Sequence, residues 1–158
     1  MEQRRNVVFE TGNVVAKSVP HSPEVEKELL GQMIIDSTII DKVMHYIPSD
    51  TIFYNEFHRS VWRGILDLRK KGTDDISLNT LIAEIPPSLA TNDMGYRLTQ
   101  LCDIATTANS ENNAKILYEK WLLRNVILKS EQVRNVVNVK NSDARSVLEQ
   151  LQHEIENV

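Results

Sequence analysis

Nine of the thirteen residues from 116 to 128 are apolar: Ile116, Leu117, Tyr118, Trp121, Leu122, Leu123, Val126, Ile127 and Leu128. At about 100° per residue on a helical wheel, they spread around the whole circumference instead of forming one stripe. A helix that is apolar all round has to be covered on more than one side. The rest of its own chain can take one side, and something else has to take the other. The residues that follow are less demanding. Val133, Val136 and Val137 form a stripe about a third of the circumference wide, which suits a single neighbour. Ala144, Val147, Leu148, Leu151 and Ile155 supply that neighbour at i, i+3, i+4, i+7 and i+11. The spacing predicts an antiparallel helical hairpin over residues 111–139 and 143–157, turned at Lys140-Asn141-Ser142. A hairpin wholly buried in a monomer is the plainer alternative. The all-round distribution favours a self-association surface.

The remaining composition sets outer bounds. With 158 residues, 41% of them hydrophobic, the chain fits one domain and can bury a real core. Its net charge of −4 is unevenly placed, with +1 over residues 1–20, −5 over 21–110 and zero over 111–158. No segment is a basic patch, which argues against tight sequence-independent nucleic-acid binding by this chain alone. The single cysteine, Cys102, excludes an internal disulfide and fits a reducing compartment. There is no membrane-length apolar run and no leader pattern, so a soluble cytoplasmic protein is expected, with no membrane partner.

Residues 1–19 lack caps and helical periodicity and read as a flexible N-terminal tail. Gly12, Lys17 and Ser18 within it only imitate a phosphate-binding loop. The second glycine is missing, the lysine is one residue too close, and Pro20 stands where the helix should already have opened. Ser22 and Pro23 then start a first helix, with Glu24, Glu26 and Glu28 as a solvated acidic first turn and Val25, Leu29, Leu30, Met33 and Ile34 inside. Asp36-Ser37 caps a second helix, which Pro48 stops. Phe57, Val61, Ile65 and Leu68 mark a third, closed by Gly72 in the left-handed conformation. Ser77 caps a short fourth, ended by Pro86-Pro87, and Met94, Leu98, Leu101 and Ala105 line a fifth. The fold class is therefore all-α. A compact bundle of about five short helices occupies residues 20–108, and the long hairpin, residues 109–158, belongs to the same domain.

Reactive chemistry is hard to assemble from these spacings. Glu24 and Glu28 lie one turn apart on one face, a pattern that solvated first turns share with catalytic pairs. Asp74 and Asp75 lack a third oxygen ligand at a matching interval and are explained by turn chemistry. His21, His45, His58 and His153 have no partner ligand at metal spacing and read as packing or hydrogen-bonding residues. The sequence gives no catalytic residue, metal ligand or cofactor site, and so points to an assembly or docking domain.

One ordered set of motifs resembles the N-terminal domain of DnaB-type replicative DNA helicases. It begins with Pro23-Glu24-Val25-Glu26 and Leu30-Gly31-Gln32-Met33-Ile34-Ile35-Asp36. Phe53-Tyr54 followed by His58, then Val61-Trp62, comes next. Gly72 with Asp75-Ile76, and Gly95-Tyr96-Arg97-Leu98, continue the series. Ala108-Asn109, Ala114-Lys115-Ile116 and Leu123-Arg124 open the hairpin. Together they span about residues 20–137. Val25, Met94-Gly95 and Asn112-Asn113 depart from the family pattern and mark a divergent member.

The resemblance implies a non-catalytic collar domain. Such domains pair through the hairpin and build a hexameric ring as a trimer of dimers. The collar receives the C-terminal domain of primase and contacts single-stranded DNA weakly if at all. A linker helix and an ATPase domain follow in the family, so ATP and magnesium are expected only there, and the chain reads as an isolated N-terminal domain. Carried onto this sequence, the oligomer interface comprises Leu117, Trp121, Arg124, Leu128 and Val136. Glu24 and Tyr96 would face primase, and Arg97, Lys115 and Lys120 would face DNA. The competing expectation is a stand-alone adaptor or regulator that binds a host helicase or primase.

Overall fold

The computed structural model describes residues 19–73, 76–89, 92–106, 108–138 and 143–156, with the side chains of the last two outside the description. Residues 1–18 of the tail expected over 1–19, the Asp74–Asp75 pair and the hairpin turn at 140–142 lie outside the described residues. Among those described, every regular element is helical.

Local chemistry sets the boundaries. The first helix, α1 (Pro23–Ile35), starts with proline at its first position, where a missing N–H costs nothing. The Ser22 hydroxyl makes no cap bond, and Glu24 and Glu26 complement the positive helix end instead. Asp36 starts α2 (Thr38–Val43) by accepting from Thr38 N at 3.0 Å and Thr38 Oγ1 at 2.6 Å, bonds that hold its carboxyl below the usual range. Two single-turn 3-10 segments, Met44–Tyr46 and Asp50–Ile52, carry the chain to α3 (Glu56–Lys70). Asn55 caps α3 by accepting from Phe57 N at 2.9 Å and His58 N at 3.4 Å. Its far end closes on Gly72, φ +75°, with Gly72 N donating to Arg69 O and Thr73 N to Leu68 O. This paired closure requires a left-handed residue, as expected for Gly72. Ser77 and Thr80 form a reciprocal capping box on α4 (Leu78–Glu84), and α5 (Met94–Ile104) follows.

The core lies where α1, α3 and α5 converge, through Leu29, Leu30, Met33, Ile65 and Leu98. Gly31 is the point of closest approach. A Cβ there would sit 1.9 Å from the Leu101 carbonyl oxygen and 2.8 Å from Ala105 Cβ, so α1 and α5 meet backbone to backbone. Gln32 beside it is fully buried. Its Nε2 donates to Thr106 O at 2.5 Å and Ala108 O at 2.8 Å, and its Oε1 accepts from Asn113 Nδ2 at 3.4 Å. One side chain thereby satisfies the backbone that links α5 to the next helix, where Asn109 adopts φ 68°.

That helix, α6 (Ser110–Val137), has 28 residues and a length of about 42 Å. Its beginning packs into the bundle, where Ala114 and Leu117 join the core. Leu117, expected at the oligomer interface, is 1% exposed and belongs to the core cluster. The distal half pairs with α7 (Ala144–Glu156). Lys129 bonds Glu154 while Val137 neighbours Ala144 and Val147, so the two run antiparallel as the spacing predicts.

Gly31→Ala tests the α1–α5 approach. With a backbone oxygen in the way, it is expected to destabilise the domain by about 3 kcal/mol, read as a lowered urea midpoint at unchanged slope.

Candidate functional site

The first turn of α1 holds a charge where the sequence suggests solvent. Glu26 is 1% exposed. Its carboxylate accepts from Tyr54 N at 2.6 Å and Asn55 N at 3.3 Å, and from His58 Nδ1 at 2.7 Å. The expectation of a solvated acidic turn is therefore corrected for Glu26, because the turn entering α3 leaves two backbone donors that only this carboxylate meets. The signal was present in the spacing. Glu26, Leu29, Leu30 and Met33 stand at i, i+3, i+4 and i+7, so Glu26 occupies a core position of the helical stripe. His58 is a hydrogen-bonding residue, as its isolation in the sequence implies.

Around this network α1, α3 and α5 enclose a cleft of about 420 Å³. Glu24, Lys27, Phe57, His58, Arg97 and Asp103 are among its walls. Glu24 pairs with Lys27 at 3.2 Å. The Arg97 guanidinium lies 3.7 Å from the centre of the Phe57 ring. Tyr96, one residue earlier on α5, is 66% exposed. Of the two residues expected to face primase, Glu24 lines this cleft with Arg97, and Tyr96 precedes Arg97 on α5 outside the cleft lining.

The second feature is the middle of α6. Leu123 and Val126 are each 50% exposed, Ile127 41% and Leu128 55%. Each is thus only about half covered, Ile127 and Leu128 beside Thr51, Tyr54 and Arg59. Trp121 stands at the edge of this face, half-buried, with Nε1 donating to Thr51 Oγ1 at 2.9 Å. Arg124 is used within its own chain. Nη1 donates to Pro20 O at 2.9 Å, and Nη2 to Thr51 O at 2.7 Å and Ile52 O at 2.8 Å. Burial lowers its pKa from the ordinary value. Arg124, expected at the oligomer interface, clamps the chain entering α1 and the 3-10 turn onto α6. Val136 is half-buried farther along the hairpin.

The three residues expected to face DNA do not come together. Arg97 lines the cleft, whereas Lys115 pairs with Glu111 at 3.0 Å and lies 5.3 Å from the Tyr46 ring centre. The ion pair raises the pKa of Lys115 and lowers that of Glu111. Lys120 is half-buried on the same helix.

Comparison with known proteins places this geometry. Residues 18–119 match the DnaB-like helicase N terminal domain family. The chain belongs to that family. The DnaB-like domain is 31% identical over 112 residues to the replicative DNA helicase DnaB of Geobacillus stearothermophilus, covering 68% of this chain and 24% of the relative. It is likewise 31% identical over 115 residues to the replicative DNA helicase DnaC of Bacillus subtilis strain 168, with the same coverage of 68% and 24%. The chain thus spans about a quarter of the length of these relatives. Among solved structures, the N-terminal domain of DnaB helicase from Mycobacterium tuberculosis superposes with a TM-score of 0.78 at 26% identity, covering 88% of this chain and 99% of that one.

Glu26→Ala removes the acceptor for two backbone amides and a buried imidazole. It is expected to cost about 3 kcal/mol of stability in a thermal or urea melt, whereas Glu24→Ala, at the exposed pair, should change stability by less than about 1 kcal/mol.

Proposed function

We propose that this domain is the non-catalytic collar of a replicative helicase, which self-associates through α6 and docks primase on the α1–α5 side. The observation that carries the reading is the row Leu123, Val126, Ile127 and Leu128, each about half exposed on one long helix. Covering a half-exposed Leu or Ile contributes roughly half of the ~1.5–3 kcal/mol of full burial. Four such residues from each copy supply a hydrophobic centre sufficient for a dimer. Hexamer formation would follow from repeating such pairs around a ring. ATP and magnesium would act elsewhere in a whole helicase.

Glu24 in the cleft wall and the exposed Tyr96 next along α5 from Arg97 support primase docking on this side. For single-stranded DNA the domain offers little. Its net charge is negative, and Arg97 sits away from Lys115. We assign it no more than a weak, salt-sensitive contact.

Sedimentation equilibrium across a concentration series tests the pairing. The domain is expected to dimerise, and Leu128→Glu to weaken dimerisation by about 2.8 kcal/mol, a hundredfold, while the thermal melt extrapolated to low concentration stays unchanged. A monomer at all concentrations would remove the collar reading.

A further inference from the structure

Beside the exposed row, α6 and the turn entering α3 enclose a cavity of about 400 Å³. Tyr54, Trp121, Ile127 and Leu128 give it aromatic and aliphatic walls, and Arg59 and Glu131 add one charge of each sign. Val19 stands in the wall too, and the described chain begins there. That exit point is pinned. Arg124 Nη1 donates to Pro20 O at 2.9 Å, and His21 Nδ1 lies 2.5 Å from Val19 O. The His21 ring stacks on Tyr54 with centres 4.7 Å apart. The 18 residues that precede Val19 are therefore tethered at the mouth of an apolar cavity.

Their sequence suits it. Phe9 is the one aromatic residue among them, and it follows Val7 and Val8 directly. Arg4 and Arg5 stand before this apolar group and Glu10 after it, the charges that complement Glu131 and Arg59 at the cavity. Val14 and Val15 have neither an aromatic neighbour nor an acidic one. Ten residues separate Phe9 from Val19, a reach of up to about 35 Å, which is ample for the chain to double back. A tether of that length holds the segment at an effective concentration of the order of millimolar.

We propose that Val7-Val8-Phe9 docks in this cavity of its own chain and competes there with a second copy for Leu128, so that the segment sets the concentration at which the domain pairs. The inference rests on the pairing reading above and adds its regulation. A contact of millimolar affinity, matched to the tether, fills the cavity about half of the time. Each copy is then open to pairing about half of the time, which weakens dimerisation about fourfold.

The test follows acrylamide quenching of tryptophan fluorescence in the full chain, with sedimentation equilibrium alongside. Trp62 is 2% exposed, so quenching reports on Trp121 in the cavity wall. In dilute solution Phe9→Asp is expected to raise the quenching of Trp121 about twofold, and at higher concentration to strengthen dimerisation about fourfold. A synthetic peptide of residues 4–12, added at millimolar concentration, should return the quenching of the variant to that of the unaltered chain. Equal quenching of the two chains in dilute solution would overturn the inference. If that quenching falls only as mass doubles, the cavity belongs to the second copy alone. Raised quenching with unchanged dimerisation would overturn the competition. Raised quenching in a chain that stays monomeric with or without Phe9 would overturn the pairing reading and leave the docked segment standing.

Discussion

A helix of 28 residues is longer than the bundle that covers it, and much of the molecule follows from that mismatch. Over its first two turns α6 meets α1 and α2 and behaves as a core helix, with Ala114 and Leu117 sealed. Past Trp121 contact with the bundle thins to the Arg124 clamp and to Ile127 and Leu128 beside Tyr54 and Arg59, yet the sequence stays apolar as far as Leu128. The hydrophobic effect makes no distinction between a surface covered by the same chain and one covered by another. An apolar row that the fold itself fails to cover is therefore the physical basis for self-association.

Three buried or half-buried polar side chains hold the bundle against this helix. Glu26 gathers the donors at the start of α3, Gln32 gathers the acceptors after α5, and Arg124 takes three carbonyls from Pro20, Thr51 and Ile52. Each serves backbone in irregular segments, where neither helix nor sheet can satisfy the groups. All three side chains reach far along the sequence. Together they fix how the two connecting segments lie on α6, and so where the exposed row begins.

The sequence made the helices legible because their punctuation is local. Pro23, Asp36, Asn55, Gly72 and Ser77 sit at or beside the boundaries the structure adopts. The hairpin was legible for a similar reason, as its stripes match at helical spacing. What the pattern could not give was the point along α6 at which its own chain stops covering it. Leu117 and Leu128 share one stripe on a wheel, but one is core and the other is 55% exposed, because burial along a helix depends on the length of its neighbours. The polar clamps were hidden differently. Glu26 read as a solvated charge and Arg124 as an interface residue, and the backbone groups of distant turns that they bond explain where they sit.

The most direct test of the account concerns which surface is covered when the domain associates. Methyl-labelled protein can be titrated from dilute to concentrated solution in the presence of a soluble paramagnetic probe. The account predicts that the methyls of Leu123, Val126, Ile127 and Leu128 lose access to the probe as mass doubles, while the exposed methyls of Leu148 keep it. If mass doubles while those four remain accessible, the domain pairs through another surface and the central claim is wrong.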